Sequence, residues 1–180
     1  MHIYHRIFPV VFILLIALLQ VCAQDSTGSP VELPRLFGIQ DRTVLTREPY
    51  SVWYLEEYQG YDVNSDVLNS LKSSIASLKI DIFMGAWCSD SRREVPRFYK
   101  ILDSLKISNS DVKLVMLNRE KASPTREEAD MNIHHVPTFI IYLDQVEIGR
   151  IIETPINTLE EDLESILTGE VYVPNYIELE

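Results

Sequence analysis

The chain has 180 residues, enough to bury the core of one domain, and its 46% apolar and 24% charged composition excludes a disordered or fibrous protein. Sixteen Lys and Arg against 27 Asp and Glu leave a formal net charge of −11, which argues against nucleic acid and anionic membrane surfaces as partners. Two cysteines, one of them Cys22 near the N-terminus, exclude a scaffold built on disulfides.

Arg6 precedes the apolar run Val10–Leu19, and Val21-Cys22-Ala23 follows it. Charge, then an apolar stretch, then small residues at alternate positions read as a signal peptide, residues 1–23, cut after Ala23. The run is short for a membrane span, so no integral span is expected after cleavage. The expected location is outside the cytoplasm, in a bacterial periplasm or cell envelope or secreted. A retained signal anchor is an alternative. Lipid attachment at Cys22 is another, disfavoured by bulky Val21. Cleavage removes Cys22 and leaves Cys88 as the single thiol.

Residues 24–34 are polar with Gly and Pro and read as a linker. Residues 35–62 carry Trp53 and four tyrosines, and Glu48-Pro49 can open a short helix. With the linker they make an N-terminal extension, 24–62, to a domain at 63–169. From Asn64 the signals sharpen. Val67, Leu68, Leu71, Ile75 and Leu78 recur at helical spacing behind an Asn-Ser-Asp cap. Residues 79–84 (KIDIFM) form a strand. Ser91–Leu105 reads as a helix with Val95, Phe98, Ile101, Leu102 and Leu105 on one face. Val112–Leu117 is a buried strand, 118–125 a loop and Arg126–Asn132 a helical turn. Thr138–Leu143 and Val146–Ile152 are strands joined at Asp144-Gln145. Leu159–Leu167 is an acidic amphipathic helix ended by Gly169, and 170–180 an acidic tail. Strands alternating with helices, closed by a hairpin, give an α/β fold with a mixed sheet.

At Gly85-Ala86-Trp87-Cys88 a strand gives way to a helix carrying Pro96, and Val136-Pro137-Thr138 and Gly149 follow in order. Over roughly residues 64–168 this resembles the thioredoxin family, in a secreted single-cysteine form with a Trp-Cys-x-x-Ser site. The resemblance implies a thioredoxin-like fold, a mixed central sheet flanked by helices. It also implies a cis bond at Val136-Pro137, beside the active cysteine, with the Val136 backbone pairing an extended substrate segment. No cofactor is implied.

The physics of that placement makes Cys88 a candidate nucleophile. A helix N-terminus favours thiolate over thiol. Arg92 and Arg93 would add to this and Asp90 oppose it. The Ser91 hydroxyl, one turn on, could donate to the thiolate. Trp87 would shape the face, and Val136, Pro137 and His135 would meet the substrate. With serine at position 91 there is no second thiol to resolve a mixed disulfide. What remains is monothiol exchange, disulfide isomerisation, removal of a small-thiol adduct or covalent holding of a partner, with a disulfide- or thiol-containing protein or small thiol as partner and an external thiol reductant for release. The family's reductases also bury an acid where this chain has Ile82. Asp81, its neighbour, should face the other way. These two departures carry the alternative of a binding module without turnover.

Blander readings stand beside these. Ser89 and Ser91 are ordinary helix-start residues, and Cys88 can be a small buried hydrophobe. His134 and His135 should face opposite ways, and either with Cys88 gives two metal ligands, short of the four of a structural zinc site. No metal is assigned, and a metal chaperone using Cys88 with His134 or His135 is the weakest alternative. The aromatics at 50–61 are expected to be core rather than a peptide-binding face. Glu160, Glu161, Asp162 and Glu164 are expected on a solvated face, favoured near a helix start. Whether the tail docks is open.

Overall fold

The structure, a computed structural model, describes residues 36–72 and 74–176. The expected signal peptide and linker lie outside them. Five strands form one sheet: β1 (Gly38–Gln40), β2 (Leu78–Met84), β3 (Val112–Met116), β4 (Thr138–Leu143) and β5 (Val146–Ile152). Their spatial order is β1-β3-β2-β4-β5. β2 and β3 are parallel, and every other pairing is antiparallel. Among the described residues four α-helices accompany them: α1 (Ser51–Gly60), α2 (Ser65–Leu71), α3 (Ser89–Ser104) and α4 (Leu159–Thr168). The fold is therefore mixed α/β with a thioredoxin-like arrangement.

Alternation along the strands divides the core in two. Ile80, Ile82, Met84, Leu114, Met116, Phe139 and Ile141 pack with residues of all four helices. Phe83, Val115 and Ile140, pointing the other way, pack with Leu117, Ile133 and Val136 from the long β3–β4 connection. The helices serve one face of the sheet, and a loop covers the other. Trp87 and Cys88 lean on this second, smaller cluster.

The segment ahead of residue 63 joins the main core. Tyr54 and Leu45 are buried there, and Tyr50, Trp53, Tyr58 and Tyr61 pack against it. Burying one such side chain contributes about 1.5–3 kcal/mol. The same segment supplies β1, which pairs with β3. That strand is unforeseen in the sequence, where three residues offer no alternation to read.

Local boundaries shift for physical reasons. α2 stops at Leu71, where the Ser74 N–H turns back to the Leu71 carbonyl. Leu78 therefore opens β2 instead of extending a helix. α1 begins at Ser51, after a cis Glu48-Pro49 bond. α3 begins two residues earlier than its apolar face suggests. Residues 126–132 are successive turns rather than a helix, because Arg126, Asp130 and Asn132 adopt positive φ.

Two of the acids expected in solvent are buried. Glu160 and Asp162 are each 1% exposed. Glu160 accepts from the Tyr61 hydroxyl at 2.6 Å and the Asn64 N–H at 3.1 Å. Asp162 accepts from the Ile156 and Asn157 N–H groups and from the Tyr172 hydroxyl. Fully bonded carboxylates tolerate burial that bare ones do not.

Candidate functional site

β2 ends at Met84, and the Cys88 N–H bonds back to the Gly85 carbonyl at 2.9 Å, closing a tight turn. The Trp87 indole folds back over Gly85, so a Cβ at position 85 would lie 2.5 Å from the ring. Only glycine leaves room for that approach. The indole N–H donates to the Leu117 carbonyl at 3.0 Å, and the Arg119 guanidinium sits 5.4 Å from the ring centre. The tryptophan thus bridges the β2–α3 turn and the end of β3.

Cys88 is the N-cap of α3. Its backbone is extended, and its carbonyl accepts the Arg92 N–H at 3.1 Å. The side chain does not cap the helix and is half-buried at the surface. Its Sγ lies 3.1 Å from the Val136 carbonyl oxygen, a weak S–H donor meeting an acceptor. Val136-Pro137 is a cis bond. The loop is pinned on both sides: the Thr138 hydroxyl donates to the His135 carbonyl at 2.7 Å, and the Glu153 N–H donates to the Pro137 carbonyl at 2.7 Å.

Ser91 sits differently from expectation. It is fully buried, and its hydroxyl oxygen accepts the Gly85 N–H at 3.2 Å. That bond ties α3 to the turn below the cysteine and faces no incoming substrate. Arg93 is also committed, to Asp90 at 2.7 Å and to the buried Glu94 at 2.6 Å, whereas Arg92 is exposed. Ile82 is wholly buried, and Asp81 pairs with Lys113 at 2.5 Å. The position where the sequence resemblance would put a buried acid is apolar here.

His135 Nδ1 lies 3.0 Å from a Glu153 oxygen, and its ring stacks on Tyr176 at 4.0 Å. Exposed His134 is its neighbour. Among the described residues, no group of three or more His, Cys, Asp or Glu side chains could hold a metal ion. Trp87, Cys88, Val136, Pro137 and His135 come together, and Ser91 lies beneath them. Sequence reasoning missed Gly85, Leu117, Glu153 and Tyr176. Gly85 had a signal, a glycine two residues before a large ring. The others act through backbone or distant contacts and had none.

No protein-family model matches the sequence, and no curated protein does. Solved structures similar to the chain include a protein of unknown function from Pseudomonas aeruginosa, at 11% identity and TM-score 0.49, covering 73% of this chain and 81% of that one. Mitochondrial thioredoxin 3 of Saccharomyces cerevisiae, in its oxidised form, is 20% identical with TM-score 0.36, covering 63% of this chain and 98% of its own. Thioredoxin O2 of Arabidopsis thaliana, also oxidised, is 18% identical with TM-score 0.36, covering 58% and 84%.

Proposed function

We propose that the protein is a monothiol exchange protein of the cell envelope, with Cys88 as its nucleophile. The observation that carries this reading is the 3.1 Å approach of Cys88 Sγ to the Val136 carbonyl. It sets a half-exposed thiol at a helix start beside a cis-proline backbone able to pair with an extended segment. Deprotonated, the Cys88 sulfur attacks one sulfur of a partner disulfide. A Cys88–partner disulfide forms, and the other partner sulfur leaves as a thiolate and takes a proton. An external thiol then attacks the mixed disulfide, frees Cys88 and ends in a new disulfide with the partner. The balance needs that external thiol because residue 91 is serine. In this reading Trp87 shapes the face, and Val136, Pro137 and His135 receive the partner.

The test is exchange with a model mixed disulfide in the presence of a small thiol. In the full chain carrying Cys22→Ser a covalent adduct should form at Cys88, and adding Cys88→Ser should leave none. Adduct formation at equal rate in Cys88→Ser would sink the reading.

A binding module without turnover is the second reading. Buried Ile82 and the inward Ser91 hydroxyl favour it. It expects partner capture to survive Cys88→Ala with unchanged affinity. Loss of capture in that variant would return the argument to covalent exchange.

A further inference from the structure

The face around the cis-proline loop is occupied by the chain's own C-terminal segment. Gly169 ends α4 in the left-handed conformation, and the Glu170 N–H closes the turn on the Ser165 carbonyl at 3.0 Å. The chain then doubles back through three anchors. The Tyr172 hydroxyl donates to buried Asp162 at 3.0 Å. The Asn175 amide donates to the Thr154 carbonyl at 2.7 Å and to its hydroxyl oxygen at 3.0 Å. Tyr176 lays its ring on His135, 4.0 Å between centroids and 13° from parallel.

Its seat is specified from below. Glu153 adopts a positive φ of 59°, rare for a residue with a side chain. That conformation brings its N–H to the Pro137 carbonyl and its carboxylate to His135. Tyr176 thus rests on a histidine whose ring nitrogen is held by that carboxylate. The tyrosine ring therefore covers His135, the residue before Val136, whose carbonyl lies 3.1 Å from the Cys88 sulfur.

We infer that Asn175-Tyr176 is a displaceable cover seated on the partner-binding face, so that an incoming segment must lift it to reach Cys88 and the Val136 backbone. The inference rests on the exchange or binding reading for what the face receives, but the cover can be tested without either. Tyr176 remains 41% exposed, and one surface ring contact is weak. Its removal should speed access by about three- to tenfold, the range an aromatic pair can hold back.

The experiment uses the full chain with Cys22→Ser, leaving Cys88 as the only thiol, compared with the same chain carrying Tyr176→Ala or Tyr176→Phe. Two quantities are read. The first is the NMR shift of the His135 ring protons, which the stacked ring moves, with His134 as internal reference. The second is the rate of Cys88 alkylation by N-ethylmaleimide and by a maleimide on a long polyethylene glycol. Tyr176→Ala should move the His135 resonances, leave N-ethylmaleimide within twofold and speed the bulky reagent about three- to tenfold. Tyr176→Phe should keep the ring-dependent shift. Unmoved His135 resonances would mean that the segment is not seated and would overturn the proposal. A moved resonance with an unchanged bulky rate would overturn it too, since the tyrosine would then cover nothing. So would a Cys88 closed to both reagents in every variant. Alkylation does not require disulfide exchange. The expected labelling with no exchange would sink the thiol-exchange reading and leave the cover standing.

Discussion

Arg42 and Asp103, 61 residues apart, share two hydrogen bonds of 2.7 and 2.6 Å, guanidinium against carboxylate. The pair fastens the N-terminal segment to the helix that begins at Cys88. Tyr58 donates to the same carboxylate at 2.6 Å, Arg42 donates to the Tyr54 hydroxyl at 2.9 Å, and the guanidinium lies 4.4 Å from the Tyr99 ring centre. A bidentate pair with a stacked guanidinium has a geometry that lysine would not reproduce.

That clamp gives an acid-dependent prediction. Burial pushes the Asp103 carboxyl up, but the hydrogen bonds from Arg42 and Tyr58 outweigh it and hold the group below the usual carboxylate range. A free aspartate titrates near about 3.9. The folded group titrates lower, so its stabilisation is fully present above that value and is lost as pH falls through the folded one. Asp103→Asn should cost about 1–2 kcal/mol at neutral pH, allowing for its partial exposure. The gap from the parent should narrow as pH falls below the free-aspartate value and on through the lower folded one. Urea denaturation of both proteins across that range checks it.

Gly85→Ala should damage the site from underneath. The added methyl meets the Trp87 indole at 2.5 to 2.8 Å, so the ring must leave its seat and its bond to Leu117. Overpacking of this kind costs about 1–3 kcal/mol. The checks are thermal unfolding and tryptophan emission, which should shift red as the indole swings into water. An unchanged spectrum would mean that the ring does not rest on Gly85.

Tyr61→Phe tests the buried acid of α4. Burial, then the Glu160 acceptor, push the Tyr61 phenol well above its ordinary value. Its stabilisation is therefore complete below the unfolded value of about 10 and is lost as pH rises through the folded one. The variant leaves Glu160 with the Asn64 N–H and one donor fewer, at a cost of about 1–3 kcal/mol. The difference should be full at pH 7 and shrink in strong alkali, as denaturation at both values would show.

Ser91→Cys places a second thiol one turn from the first. Under oxidising conditions it should lose two hydrogens by mass as a disulfide forms to Cys88. It should also reduce a protein disulfide at the expense of an added dithiol, which the parent should not do efficiently. A folded variant that forms the bond yet stays inactive would point to the apolar Ile82 position as the deeper obstacle.

What the sequence could show followed the range of the interactions involved. Trp87-Cys88 and Val136-Pro137 are local patterns with local geometry, and the structure joins them at 3.1 Å. Helical spacing runs on by coincidence past Leu71 through Ile75, in the connection, to Leu78, which opens a strand. Glu160 read as solvated because its partner Tyr61 lies 99 residues away. Ser91 is legible as a residue of the first helical turn, but its hydroxyl bonds a backbone N–H that composition cannot single out.

The pairing of β1 with β3 bears on how the chain can be cut. The thioredoxin-like pattern read from the sequence begins near residue 64, and a fragment started there would lack β1, Leu45 and Tyr54. The Leu114–Met116 backbone would then lie bare along one side, beside apolar surface that α1 had kept from water. An unpaired edge of that kind recruits another strand, and the nearest supply is a second copy of the fragment. A minimal domain drawn by motif alone should therefore precipitate or associate edge to edge, where a chain begun at residue 35 should not.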